Sequence, residues 1–289
     1  MPWRNRTARK AFLAISSFSS RLGRSAVIEP GHTPMSSILD HPLLSKRYFF
    51  PNPDPPSDLW PVDCGDAVLS CSYERPQPQG HTLVFFHGNG EIAADYQPWL
   101  MRLLAKRGLN LLLAEYRGYG GSTGSPCLVG MLRDVEAIVR AMGVADNRII
   151  AFGRSVGSIY ALELAARHPS IAGLVLDSAL ADPLERILLR VQPEELGATA
   201  AELEASVHEH LDQERKLKSY AGPLLVLHAR GDTLIPSTHA ERLASWGVAG
   251  RTELALLADG DHNSVMKANW VEYWRAFDRF LTRVRATPG

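Results

Sequence analysis

Gly153-Arg154-Ser155-Val156-Gly157 is the stretch from which the rest of the chain can be read. It follows Arg148-Ile149-Ile150-Ala151-Phe152, a short apolar run with strand character. It leads into Ser158-Ile159-Tyr160-Ala161-Leu162-Glu163-Leu164-Ala165-Ala166, whose apolar residues have helical spacing. A Gly-x-Ser-x-Gly between strand and helix is a nucleophile elbow. The turn holds the serine in strained backbone geometry, and the two flanking positions approach neighbouring backbone so closely that a Cβ would clash. The Ser155 hydroxyl is thereby lifted clear of the sheet, at a helix N-terminus whose dipole favours negative charge.

Outward from this turn, strands and helices alternate. The segments 46–50 and 68–73 read as strands of an opening antiparallel edge. Residues 82–86 form a continuous apolar run, as a strand covered on both faces requires. Further strands are expected at 109–114, 148–152, 171–176, 224–228 and 252–257. Helices are expected at 95–107, 127–142, 156–168, 237–246 and 265–284. This pattern predicts an α/β fold: a mostly parallel twisted sheet of about eight strands with helices on both faces. Right-handed crossovers place every loop that follows a strand on one rim, where ligands bind. The stretch 181–220 interrupts the alternation with Leu184, Ile187, Leu188, Val191, Leu196, Leu203, Val207, Leu211 and Leu217 among many charges, and Pro183 and Pro193 as breakers. It exceeds a normal connection, and two or three short amphipathic helices forming a small cap over the rim are expected there. The domain therefore spans 46–284 with its cap at 181–220, preceded by a basic extension, 1–45.

Bulk composition sets outer limits. At 289 residues and 45% apolar composition the chain can bury one large core, and its formal net charge of zero gives no reason to expect a nucleic-acid partner. Cys64, Cys71 and Cys127 are odd in number and lack metal-ligand or C-x-x-C spacing, which fits a reducing, cytoplasmic setting and structural thiols. Residues 1–28 carry Arg4, Arg6, Arg9, Lys10, Arg21 and Arg24, with no acid before Glu29. The apolar run 11–15 is too short for a signal-peptide core or a membrane span. Two readings stand for this start, a mobile tail and a basic segment, transit-like or resting on anionic lipid as a peripheral membrane contact.

A serine at its free pKa is a poor nucleophile and needs a base, which in turn needs an orienting carboxylate. Asp232 lies in His228-Ala229-Arg230-Gly231-Asp232, directly after the apolar strand 224–228. His262 lies in Gly260-Asp261-His262-Asn263, soon after strand 252–257. Both fall on the rim that carries Ser155, in the order serine, acid, histidine expected after such an elbow. Asp177 is the fallback acid. Asp259 and Asp261 share the His262 loop and reach its ring less well than a separate strand end. His228 lies inside a strand and is expected to pack. His239 and His168 belong to helices, His208 and His210 to the cap, and His32, His41 and His81 precede or border the first core strands. Two N–H donors must hold a tetrahedral oxyanion. Val156, the residue after the nucleophile, supplies one, and Asn89 in His87-Gly88-Asn89-Gly90 supplies the second, with Gly88 setting the turn and His87 bracing the loop.

These segments, with Glu115-Tyr116-Arg117-Gly118-Tyr119-Gly120-Gly121-Ser122, resemble the α/β-hydrolase superfamily, and within it the group of ABHD and Bem46-like proteins. The resemblance covers about residues 46–284. It implies a metal-free and cofactor-free serine hydrolase acting on carboxylic esters or thioesters, with a small-molecule acyl ester or lipid-like substrate. It also implies that the 115–125 loop braces the rim beneath the histidine. Membrane-tethered relatives carry a transmembrane span or a Cys-rich palmitoylated N-terminus, which this sequence lacks. An aminopeptidase or amidase on the same triad is the rival reading, and a catalytically silent binding protein is a third. A serine at the elbow disfavours the aspartate-nucleophile enzymes of this fold. The glycines of 118–124 are not followed by Gly-Lys-Ser/Thr and do not form a nucleotide cradle.

Overall fold

The computed structural model describes residues 37–287. In chain order these form a 3₁₀ turn (Ile38–Asp40), α1 (Pro42–Tyr48), β1 (Trp60–Asp63), β2 (Val68–Glu74), β3 (Thr82–Phe86), α2 (Ala93–Ala105), β4 (Asn110–Ala114), α3 (Gly130–Met142), β5 (Ile149–Arg154) and α4 (Gly157–Arg167). There follow β6 (Gly173–Asp177), α5 (Pro183–Leu188), α6 (Ala200–Leu211), α7 (Gln213–Lys218), β7 (Leu224–Ala229), α8 (Thr238–Trp246), β8 (Thr252–Leu257), α9 (Val265–Ala268) and α10 (Trp270–Ala286). The basic stretch 1–28 lies outside the described residues. Among those described, no helix is long and apolar enough to cross a membrane.

The eight strands form one sheet in the order β1-β2-β4-β3-β5-β6-β7-β8. β1, β2 and β4 pair antiparallel, and every pair from β4 across to β8 is parallel. β3 sits between β4 and β5, so the chain leaves β3 toward one edge and returns to the other side of it. That reversal opens a crevice at the carboxyl ends of β3 and β5, the place where open α/β sheets bind ligands. Alternate residues of the central strands feed two cores. Val84 and Phe86 of β3 pack with Val135, Ile159 and Leu243 from α3, α4 and α8. Leu83 and Phe85 pack on the opposite face with Leu100, Phe277 and Phe280 from α2 and α10. Each fully buried Phe contributes about 1.5–3 kcal/mol of transfer free energy.

The opening differs from the sequence expectation in two ways. Residues 46–50 form no strand: α1 ends at Tyr48, and the antiparallel edge is β1 with β2. Aromatic β-propensity suggested a strand, but local capping prevails. The His41 ring accepts from the Leu43 N–H at 3.1 Å, Pro42 occupies the first turn, and Leu44 and Tyr48, four apart, bury one face. The structured body also starts earlier than residue 46, because Leu39 and Leu44 are fully buried in the core. At the other end, the single helix expected over 265–284 is split at Asn269. Its side-chain amide donates to Asp259 O at 2.7 Å and Val265 O at 2.8 Å, and its carbonyl accepts from Asp259 N at 3.1 Å.

Between β6 and β7 the chain forms α5, a 3₁₀ turn (Pro193–Leu196), α6 and α7. The helices expected here are present, but they do not all sit over the rim. α7 lies along α4, fixed by Leu217 in the core and by the buried Lys216 ammonium, 2.7 Å from Glu163 of α4. Only the α5 segment reaches the Ser155 cavity, through Arg186 and Arg190.

Candidate active site

Ser155 has φ of 52°, a left-handed conformation that a side chain rarely adopts and that costs about 1–3 kcal/mol. The surrounding backbone enforces it. Ser155 N donates to Asp177 O at 2.9 Å, and Ser158 donates to Ser155 O from its N–H at 3.0 Å and its hydroxyl at 2.6 Å. The glycines act as the sequence implied. A Cβ on Gly153 would lie 2.5 Å from Ser158 Cα. One on Gly157 would overlap Phe86 O and lie 2.6 Å from His87 O.

The structure brings the three residues picked from the sequence into one chain of hydrogen bonds. His262 Nε2 lies 2.9 Å from Ser155 Oγ, and His262 Nδ1 lies 2.7 Å from Asp232 Oδ2. A carboxylate only accepts, so Nδ1 carries the ring proton and Nε2 offers its lone pair to the serine hydroxyl. Asp232 Oδ1 accepts the Leu234 and Ile235 N–H groups at 2.9 and 2.8 Å. Burial alone would raise this carboxyl's pKa, but the His228 and His262 hydrogen bonds and the Ile235 N–H outweigh it and hold it well below the usual carboxylate range. Asp232 is therefore an anion aimed at the His262 ring.

His228 packs, as expected, but it also has a polar role that its place in β7 did not announce. Its Nε2 donates to Ile235 O at 2.8 Å and lies 3.3 Å from Asp232 Oδ2. Asp177 is not the acid: it is buried with Ser178 Oγ at 2.9 Å and Tyr273 OH at 2.6 Å. Asp261 is exposed and closes the histidine turn by accepting from Asn263 N and Ser264 N, both at 3.0 Å. His239 braces α5 through Ala181 N and Glu185, and His168 pairs with Glu136 and Asp146 away from the cavity. Burial pushes the Cys64 thiol up to about 12 and Cys127 up to about 11, and raises Cys71 further still, which leaves all three poor nucleophiles.

The loop after β3 faces the elbow. Neither the Asn89 nor the Val156 backbone N–H is spent on another described residue. The Asn89 side chain anchors the loop instead. Its Oδ1 accepts from Phe50 N at 3.1 Å and Tyr119 OH at 2.9 Å, and its Nδ2 donates to Tyr48 O. His87 braces the same loop, with Nδ1 2.8 Å from Gly88 O and Nε2 2.7 Å from Glu115 Oε1. Both partners accept, so both nitrogens donate and the buried ring is an imidazolium. Burial opposes that charge, but the Glu115 carboxylate and the two hydrogen bonds prevail and raise the His87 pKa. The 115–125 loop thus braces the rim under His87 rather than under His262, while Arg117 is taken up by Asp134 and Asp66.

A raised histidine pKa makes a signed prediction. The pair's stabilisation is complete below the unfolded value near 6.5 and is lost as pH rises through the folded one. Glu115→Gln is expected to cost about 3 kcal/mol at mildly acidic pH and distinctly less in alkaline buffer. Urea unfolding across that range measures it, and a pH-independent difference would contradict the imidazolium.

A second brace was not foreseen. The Arg154 guanidinium, at the elbow's own variable position, is 2.8 Å from Glu91 Oε1 and donates to His262 O at 3.1 Å. Glu91 Oε2 accepts from Gly88 N at 2.6 Å and Tyr96 OH at 2.8 Å. One ion pair thus ties the β3 loop, the elbow and the histidine loop together. A Cβ at Gly88 would fall 2.7 Å from Arg154 Nη1 and 2.8 Å from Glu91 Oε2, so it would press on this ion pair.

Ser155 opens into a cavity of about 200 Å³ bordered by Phe50, Leu234 and the Arg186 and Arg190 side chains. Among the described residues, no carboxylate lines it.

Comparisons with known proteins bear on the fold and on what the chain is similar to. Residues 77–219 match the family model described as "Serine aminopeptidase, S33". The chain is 27% identical over 192 residues to the uncharacterized protein YfhR of Escherichia coli, covering 63% of this chain and 62% of that one. It is 27% identical over 219 residues to human alpha/beta hydrolase domain-containing protein 17C, covering 73% and 62%. The matches therefore span less than two thirds of these relatives' length. Among solved structures, Est1E from Butyrivibrio proteoclasticus, with ferulic acid bound, superposes with a TM-score of 0.63 at 17% identity, covering 79% of this chain and all of that one. The Paleococcus ferrophilus monoacylglycerol lipase gives 0.58 at 17% identity, covering 76% and 99%. Sheet order and solved neighbours together give this chain the α/β-hydrolase fold, and its sequence is similar to ABHD-like relatives.

Proposed function

We propose that the protein is a serine hydrolase of carboxylic esters or thioesters that works through an acyl-enzyme on Ser155. The hydrogen-bonded chain from Ser155 through His262 to Asp232, at 2.9 and 2.7 Å, carries this reading. Ser155 Oγ attacks the acyl carbonyl as His262 Nε2 takes its proton, and Asp232 stabilises the imidazolium that forms. The Asn89 and Val156 N–H groups hold the oxyanion. His262 then protonates the leaving alcohol or thiol, and water, activated by the same ring, releases the acid.

The family description supports a second reading, an aminopeptidase. A free amino terminus needs an anionic partner, whereas among the described residues this cavity presents arginines and no carboxylate. Its volume of about 200 Å³ also lies below the usual range for ligand pockets, which favours a short acyl group.

A fluorophosphonate probe is expected to add one adduct, on the Ser155 peptide, and none to Ser155→Ala. In a series of p-nitrophenyl esters from acetate to palmitate, kcat/KM should peak among the short acyl groups and fall about tenfold or more by laurate. Faster turnover of alanine p-nitroanilide than of any ester would decide for the aminopeptidase.

A further inference from the structure

We propose that Arg186 and Arg190 form an anion subsite at the mouth of the Ser155 cavity, so that the substrate is an acyl ester bearing a carboxylate or phosphate. The inference rests on the ester-hydrolase reading and names the substrate class within it. Both guanidinium groups border the cavity, and neither has a carboxylate partner among the described residues. Arg186 spends one N–H on Leu234 O at 2.9 Å, and Arg190 lies over the Phe50 ring at 5.5 Å. Those contacts aim the two side chains without neutralising them. Surface arginines ordinarily find acids nearby, and three acids of this segment are engaged elsewhere. Asp182 caps Leu184 N and faces Arg242, Glu185 meets His239, and Glu195 pairs with Arg47 at 2.9 Å.

The third arginine of the cavity, Arg154, differs in being buried and balanced by Glu91. What remains uncompensated is the Arg186–Arg190 pair. The buried Tyr48 hydroxyl in the same wall feels both charges, which oppose the upward push of burial on its pKa. Two guanidinium groups four residues apart, one on α5 and one in the turn that follows it, border a small cavity and match the fork geometry by which arginine holds carboxylate or phosphate. The charge can stand on either side of the scissile bond, and the two placements are tested by separate pairs of esters.

Monoethyl glutarate against ethyl valerate places the charge on the acyl side. Butyryl glycerol phosphate against monobutyrin places it on the alcohol side. Binding to Ser155→Ala by calorimetry reads the subsite without chemistry, and turnover by wild type reads the reaction. The charged member of at least one pair is expected to bind about tenfold tighter and to be cleaved with about tenfold higher kcat/KM at low salt. Both preferences should fall to near one in Arg186→Gln/Arg190→Gln, whose folding is checked by thermal unfolding. Equal binding within both pairs overturns the subsite. Preferential binding without turnover of any ester keeps the subsite and rejects the hydrolase reading. If the soluble pairs are not distinguished, yet phosphatidylserine vesicles retain wild type and not the double variant, these arginines dock a membrane and the subsite is wrong.

Discussion

Ser155→Ala is expected to lower kcat for a short ester by about 10⁶, and the double variant Ser155→Ala/His262→Ala by hardly more. The nucleophile and base act in one step, so losing either removes the whole attack. What persists in each variant is the contribution of binding and of the Asn89 and Val156 donors. Asp232→Asn separates orientation from nucleophilicity. An Asn side chain can present its N–H₂ to His262 Nδ1, which then must accept. The ring proton moves to Nε2, where it can no longer receive one from Ser155. A loss of about 10⁴ in kcat with little change in KM is expected. His228 faces the same carboxylate at 3.3 Å, so the unfolding midpoint must be measured alongside the rate. Multiplicative effects of the Ser155 and His262 substitutions would show that the two side chains do not act together.

Gly157→Ala is expected to destabilise the protein by about 3 kcal/mol or more and to impair the site even where the chain folds. The added methyl would meet backbone oxygens of Phe86 and His87, which cannot rotate away as a side chain could. Relief requires α4 to withdraw from β3, and that displaces the Val156 and Asn89 N–H groups relative to each other. Gly143→Ala serves as the comparison. Its φ of 60° is strained for alanine, but nothing lies within 4 Å of the new methyl. It should cost about 1–2 kcal/mol and leave kcat unchanged. Urea unfolding and ester turnover on both variants test the contrast, and equal costs would mean that the close approach at Gly157 has little energetic weight.

The legible parts of the molecule are those written in local pattern. Continuous apolar runs gave the parallel strands within a residue or two, because a strand covered on both faces carries mostly apolar side chains. Ser155, Asp232 and His262 were readable because each stands just past such a run, and parallel winding brings those ends to one rim. The start of the chain was misread where aromatic residues at 48–50 outweighed the His41 and Pro42 capping signals. Local cues compete there, and packing of Leu44 and Tyr48 against the core decides.

Several contacts that escaped notice join side chains to partners distant in sequence. Arg154 reaches His262 O across 108 positions, and Asn89 reaches Tyr48 O across 41. An arginine beside the elbow serine hints at a brace, but nothing local says that Glu91 will receive it. Asn269 splits a helix whose apolar periodicity runs straight through it, because its side chain is satisfied by the histidine loop ten residues back.

The sequence alone determined the sheet, the elbow and the order of the chemical groups, since apolar period and chain order are local and one-dimensional. The tertiary structure decided which loops the ion pairs lock together, and that α5 rather than α6 or α7 borders the cavity. It also decided that two arginines there stand without acidic partners among the described residues. Those outcomes depend on which side chains meet after folding, and ion pairing is set by proximity in space that no run of neighbours along the chain encodes.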